Sequence, residues 1–196
     1  MSKTDHEKIE TEERSRKKSI GREIWEYIRM IIIVVAVVIL AQNFLIINAK
    51  VPTESMVNTI MVGDQIFGNR LAYKFGDPQR FDIVIFKYPD DEKQLFIKRI
   101  IGLPGEKVDI LNGTVYITGA DGKTLELRDD FVSEENKDNY SGSFVVPEDC
   151  YFVMGDNRDN SVDSRYWVTT NYVSRDKFIG KVMFRYYPFK TAGKLE

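Results

Sequence analysis

The sequence predicts a mainly β fold, an antiparallel β-barrel or sandwich with a small polar insertion, preceded by one N-terminal transmembrane helix. Three observations predict it. An unbroken apolar run lies near the N-terminus, and short apolar segments at close spacing follow it. Between those segments, Asn112-Gly113 reads as a tight hairpin and Gly102-Leu103-Pro104-Gly105 as a sharp change of direction.

Residues 1–27 read as a cytoplasmic tail, and the first thirteen, rich in Glu and Lys, are expected to be disordered. The apolar run MIIIVVAVVIL (30–40) resumes as FLII after Ala41-Gln42-Asn43. Taken as 28–47, it meets the ~20 residues of helix that a bilayer requires. The Gln42-Asn43 pair sets an alternative end near 43, with FLIINAKV as the first strand beyond it. Arg14, Arg16, Lys17, Lys18, Arg22 and Arg29 precede the span and Lys50 alone follows closely, so a single-pass protein of the cell membrane is expected, with its N-terminus cytoplasmic and everything after the span outside. Trp25 and Tyr27 stand where interfacial aromatic anchors would. The basic region is long for a cleaved leader and no small-x-small site follows the run, which favours an uncleaved signal-anchor.

Residues 48–196 are the expected extracytoplasmic domain, roughly 150 residues and long enough to bury its own core. Its strand-like runs are FLIINAKV, DQIFGN, FDIVIFKY, LFIKRII, KVDIL, TVYITG, CYFVM and KVMFRYY. Residues 120–149, rich in Asp, Glu, Lys and Asn, read as a polar insertion with a solvated surface and a flexible point at Ser141-Gly142-Ser143.

Composition excludes several classes. A net charge of −2 argues against nucleic acid as a partner. The one cysteine, Cys150, can form no intramolecular disulfide and is expected to be a buried, inert thiol. The single histidine, His6, lies in the tail, so the domain can hold no Ser-His-Asp triad, Cys-His pair or His-liganded zinc. No metal or other cofactor is indicated.

Within LFIKRII (95–101), alternation places Phe96, Lys98 and Ile100 on one face and Leu95, Ile97, Arg99 and Ile101 on the other. Each face is apolar with one cation. Arg99 is expected to stretch its head to water. Lys98, packed among apolar groups, would have its pKa pushed down by desolvation and could act as a general base. A base needs a nucleophile, and the candidate is Ser55 in VPTESM (51–56), a short polar step just past the span. A third segment, GDNRDNSVDSRYW (155–167), reads as a polar turn of Asx-type bonds, and its spacing does not fit an EF-hand.

These segments, in this order after one span, resemble the bacterial type I signal peptidases. The serine box is matched by PTESMVNTI, a strand box by RFDIVIFKYP, the lysine box by KRIIGLPGE and the last box by GDNRDNSVDSR. The single span resembles the short forms typical of Gram-positive bacteria. The resemblance implies a membrane-bound serine endopeptidase that removes signal peptides from exported preproteins with a Ser/Lys dyad, cutting after small residues. It implies Ser55 as nucleophile and Lys98 as base, with the Ser55 backbone N–H and the Thr53 hydroxyl as oxyanion donors. Ser161 would orient the lysine amine, and Asp163 and Arg165 would form a supporting ion pair. Val51, Pro52, Met56, Phe96 and Ile97 are candidates to line the shallow substrate pockets. Membrane lipid is the other expected partner. The sequence departs from the family pattern at Glu54, Asn58 and Val168, positions that touch loop shape rather than proton transfer.

Self-cleaving repressor peptidases share such a dyad but lack a membrane span and bind DNA. A β-lactamase-like enzyme would need lysine three residues after the serine, where this chain has Asn58. A catalytically dead binding paralogue is the alternative from another class, opposed by the presence of both Ser55 and Lys98.

Overall fold

The structure, a computed structural model, describes residues 3–195, with side chains described from Arg22 onward. It divides into two units, residues 1–44 and 45–196. The first is one helix, α1 (Lys3–Phe44). The stretch expected to be disordered is therefore helical from Lys3, while Met1, Ser2 and the side chain of His6 lie outside what is described. Within α1, Arg22–Phe44 is long and apolar enough to cross a membrane. The helix stops at Phe44 rather than at 47, because Ile46 already pairs with the next strand, opposite Asn69.

The second unit is built of antiparallel strands, as the fold class predicts. They are β1 (Ile46–Lys50), β2 (Gln65–Asn69), β3 (Ile83–Tyr88), β4 (Asp91–Gly102), β5 (Lys107–Leu111) and β6 (Thr114–Thr118). Then follow β7 (Thr124–Glu126), β8 (Gly142–Val145), β9 (Cys150–Met154), β10 (Val173–Ser174), β11 (Phe178–Tyr187) and β12 (Gly193–Lys194). The larger sheet has the order β1-β2-β11-β3-β4-β9-β10, with β12 beside β11. The smaller has the order β7-β6-β5-β8.

Local chemistry explains the best-formed pieces. In β5 and β6 the alternate residues Val108, Ile110, Val115 and Ile117 are buried and their neighbours are not, the pattern of strands with one wet face. Asn112 and Gly113 join them with φ of 50° and 82°, the left-handed values that a two-residue turn demands. The insertion departs from expectation. It supplies β7 and β8, and Gly142-Ser143, expected to be flexible, opens β8 opposite Ile110 and Asp109 of β5.

Apolar burial forms three clusters. One joins Val51, Met56 and Ile60, from the segment between β1 and β2, to Ile66, Ile83, Ile85 and Val182. A second fills the smaller sheet and its neighbours with Val108, Ile110, Val115, Ile117, Ile101 and Phe152. The third packs Val84, Phe86, Ile100 and Val153 against Trp167. β4 contributes to all three: Ile97 borders the first, Ile101 belongs to the second, and Phe96 and Ile100 fall with the third. Cys150 is half-buried rather than buried, and desolvation pushes its thiol pKa up.

Candidate active site

Three elements converge. The turn after β1 carries Ser55, β4 carries Lys98, and the segment that leaves β9 runs from Gly155 to Trp167. The serine turn is closed locally by Val57 N–H donating to the Glu54 carbonyl (3.1 Å) and Ile60 N–H to the Met56 carbonyl (2.8 Å). Met56 and Ile60, at 1% and 0% exposure, anchor it in the core. Ser55 and Lys98 are themselves 8% and 4% exposed, and Lys98 Nζ lies 2.6 Å from Ser55 Oγ in a hydrogen bond.

Desolvation lowers the Lys98 pKa from 10.5 to about 8, with Asp163 and Asp156 pulling the other way and Arg165 assisting. Lys98 has no carboxylate within ion-pair distance among the described residues, and its Nζ stands 5.3 Å from the centre of the Phe96 ring. Its neighbour Arg99 behaves differently. Arg99 does not reach water as expected, being 1% exposed. Its Nε and Nη2 donate to the two oxygens of Asp156 at 2.9 and 2.7 Å, and Nη1 donates to the Phe81 carbonyl at 2.9 Å. The face is apolar in sequence, but the fold brings it a carboxylate from 57 residues away.

The segment after β9 binds the serine turn directly. Asn157 N–H donates to the Ser55 carbonyl (3.1 Å), and its side-chain amide donates to the Glu54 carbonyl (3.1 Å). Thr59 Oγ donates to Asp156 at 2.5 Å. Gly155 must be glycine, since a Cβ there would collide with Ser161 Oγ and the Ser55 carbonyl oxygen. Asp163 accepts from the Gly155 N–H (3.0 Å) and forms a two-pronged pair with Arg165, 2.8 Å at each contact, both side chains fully buried. Ser161 is buried, but its Oγ has no hydrogen-bond partner, so the bond to the lysine amine that the resemblance implies is not formed. Ser161 lies close against Gly155, which also faces the Ser55 carbonyl.

Thr53 is exposed, and among the described residues neither its hydroxyl nor the Ser55 N–H makes a hydrogen bond, leaving both donors available. Of the expected pocket residues, Val51 and Met56 are 3% and 1% exposed and are used up in core packing, so they offer substrate no surface. Pro52 is exposed, and Phe96, stacked on Tyr88 at 4.2 Å, and Ile97 are half-buried. Two departures from the family pattern have local partners: the Glu54 carboxylate accepts from Asn160 at 3.0 Å, and the Val168 N–H donates to Asp90 at 3.0 Å.

Sequence reasoning gave Asp156, Gly155 and the insertion no part in the site. The insertion is no idle surface: Asp129 pairs with Arg158 at 3.0 Å, Asp138 pairs with Arg165, and Phe131 stacks on the Arg99 guanidinium at 4.1 Å. The composition of GDNRDNSVDSR was a signal, because that many charges in one turn need partners.

A serine hydroxyl hydrogen-bonded to a buried, partly neutralised lysine, on a β domain without histidine, can perform nucleophilic acyl transfer. That is the chemistry of a serine hydrolase. Comparison with known proteins narrows the class. The family described as signal peptidase, peptidase S26, matches residues 24–187. The signal peptidase I of Bacillus amyloliquefaciens is 34% identical over 195 residues, 95% of this chain and 96% of that protein. That of Leptolyngbya laminosa is 37% identical over 152 residues, 74% and 70% of the two chains. That of Aquifex aeolicus is 30% identical over 220 residues, 84% of each. The chain belongs to the signal peptidase family, peptidase S26, and is a serine peptidase.

Proposed function

We propose that Ser55 and Lys98 carry out the removal of signal peptides from exported preproteins, the activity of the family to which the chain belongs. The observation that carries this reading is the 2.6 Å contact between two side chains that are both buried.

With the lysine neutral, the Ser55 hydroxyl donates its proton to Nζ as Oγ attacks the scissile carbonyl carbon. Negative charge then gathers on the former carbonyl oxygen. The free Ser55 N–H and the Thr53 hydroxyl are the donors suited to meet it. The intermediate collapses as the C–N bond breaks, the Lys98 ammonium returns its proton to the leaving amine, and an ester to Ser55 remains. Water then loses a proton to Lys98 and attacks that ester, and the proton passes back to Ser55 Oγ as the acid is released. Asp163, Arg165 and Ser161 act from behind by shaping the loop that holds the Ser55 carbonyl.

With Val51 and Met56 packed into the core, Pro52, Phe96 and Ile97 are the candidates left to border the substrate, and small residues before the cut would suit them. The apolar stretch Arg22–Phe44 is the anchor that would keep the enzyme in the membrane, and the cations before it set an inside N-terminus with the catalytic domain outside. Lipid is then the second partner, and a net charge of −2 supports no nucleic acid.

The test is cleavage of a preprotein in detergent by the wild type, Ser55→Ala and Lys98→Met, with the cut mapped by mass spectrometry. Loss of cleavage in both folded variants supports the reading, whereas continued cutting by folded Lys98→Met overturns the mechanism.

A further inference from the structure

The polar insertion ends its excursion at the catalytic segments, and one side chain joins them. A single turn of 3-10 helix, Glu134–Asn136, carries Asn136 between the serine turn and the segment after β9. The Asn136 side-chain amide donates to the Val57 carbonyl at 2.9 Å, two residues past Ser55. Its own carbonyl accepts from the Asp159 N–H at 3.1 Å, two residues before Ser161. The flanks of that turn are clamped to the same segment, through Asp129 with Arg158 and Asp138 with Arg165. The Tyr140 hydroxyl adds a bond to the Arg165 carbonyl at 3.3 Å.

We propose that Asn136 is a positioning residue for Ser55, and that residues 129–138 form a strap that sets the orientation of the nucleophile. The serine turn is short and anchored in the core by Met56 and Ile60, so the direction of the Ser55 side chain between those anchors is left to the ties along its backbone. Asn157 holds it at Glu54 and Ser55, before and at the nucleophile. Beyond the nucleophile, Asn136 holds Val57, and Asp156 and Arg185 hold Thr59, the latter by donating to its carbonyl at 3.2 Å, so Asn136 is the tie nearest to Ser55 on that side. Holding both sides of Ser55 fixes the direction of its Oγ, and attack distance and angle depend on that direction. Acyl transfer needs this alignment in the transition state, whereas binding of an extended substrate does not. Loss of the Val57 tie therefore acts on kcat and spares KM.

This inference rests on the assignment of Ser55 and Lys98, and the experiment separates the two. Wild type, Asn136→Ala, Asn136→Asp, Glu135→Ala and Ser55→Ala are compared on one preprotein in detergent, with kcat, KM and melting temperature recorded for each. Asn136→Asp keeps the shape but has no N–H to donate and sets a carboxylate against the Val57 carbonyl. Both Asn136 variants are expected to lower kcat by about 10- to 100-fold, with KM within about twofold. The melting temperature should stay within about 3 °C of wild type, and Glu135→Ala, an exposed neighbour on the same turn, should match wild type throughout. Wild-type kcat in both Asn136 variants overturns the proposal, as does a loss of kcat that follows a falling melting temperature in both. Activity retained by Ser55→Ala would instead overturn the assignment of the nucleophile on which the proposal stands.

Discussion

Lys98 and Arg99 are neighbours on β4, both cations and both out of water, yet they are provided for in opposite ways. Arg99 meets a carboxylate with two prongs and has its remaining contacts filled by the Phe81 carbonyl and the Phe131 ring. Lys98 meets a serine hydroxyl and an aromatic ring, with carboxylates only at a distance. One site holds its charge firmly and the other makes charge costly. The difference shows that burial alone does not make a cation easy to neutralise; burial without a close carboxylate does.

Four measurements break or sharpen this contrast, from the largest expected effect downward. Removing the amine in Lys98→Met, or the hydroxyl in Ser55→Ala, should lower kcat by at least about a thousandfold, as for other nucleophile–base pairs. Single-turnover cleavage assays will show it, and a fall of less than about tenfold would make Lys98 a packing residue.

Taking the partner from Arg99 should show first as lost stability, and the freed Thr59 tie adds a loss of kcat. Asp156→Ala strands a buried guanidinium and also frees Thr59, with an expected loss of about 3–5 kcal/mol in urea unfolding. A loss below about 1 kcal/mol would mean that water reaches Arg99 easily.

For Lys98 the sign reverses. Its pKa falls from 10.5 in the unfolded chain to about 8 in the fold, so below pH 8 it is protonated in both states and carries the full burial penalty. The penalty fades as pH rises from about 8 to 10.5, where the unfolded chain still holds the proton and the folded one does not. Lys98→Met should thus be more stable than wild type at pH 7, by up to about 3 kcal/mol, with the advantage shrinking across that window. A variant less stable than wild type at pH 7 would contradict the unpaired environment of the amine.

The smallest effect is in the rate profile. A base with a pKa of about 8 implies that kcat/KM rises about fivefold between pH 7 and pH 8 and about twofold more before it levels off. A flat profile over that unit would remove Lys98 from the proton transfer.

Much of the architecture is legible in the chain because its cause is local. Alternating Val108, Ile110, Val115 and Ile117 around Asn112-Gly113 specify a hairpin wherever they occur. The same alternation puts Lys98 with Phe96 and Ile100, and those two apolar residues do share a cluster. The insertion was not legible because its ordering groups are scattered and polar. Leu127, Phe131 and Tyr140 are too widely spaced to show a period, and Asp129 and Asp138 look like surface charge until Arg158 and Arg165 arrive. Arg99 was misread for the same reason, since nothing within LFIKRII foretells Asp156.

The sequence by itself determined the presence of the apolar segment, most of the strands of the larger sheet and the β5–β6 hairpin, the absence of histidine from the domain, and the residue types available for catalysis. Periodicity, turn chemistry and composition act over a few residues, so they can be read without knowing the fold. Only the tertiary structure decided that Ser55 meets Lys98 across 43 residues, that Arg99 is paired while Lys98 is not, and that Asn136 reaches Val57 across 79. Those outcomes depend on which groups share a low-dielectric interior, and proximity there is set by sheet order and register rather than by neighbours in the chain.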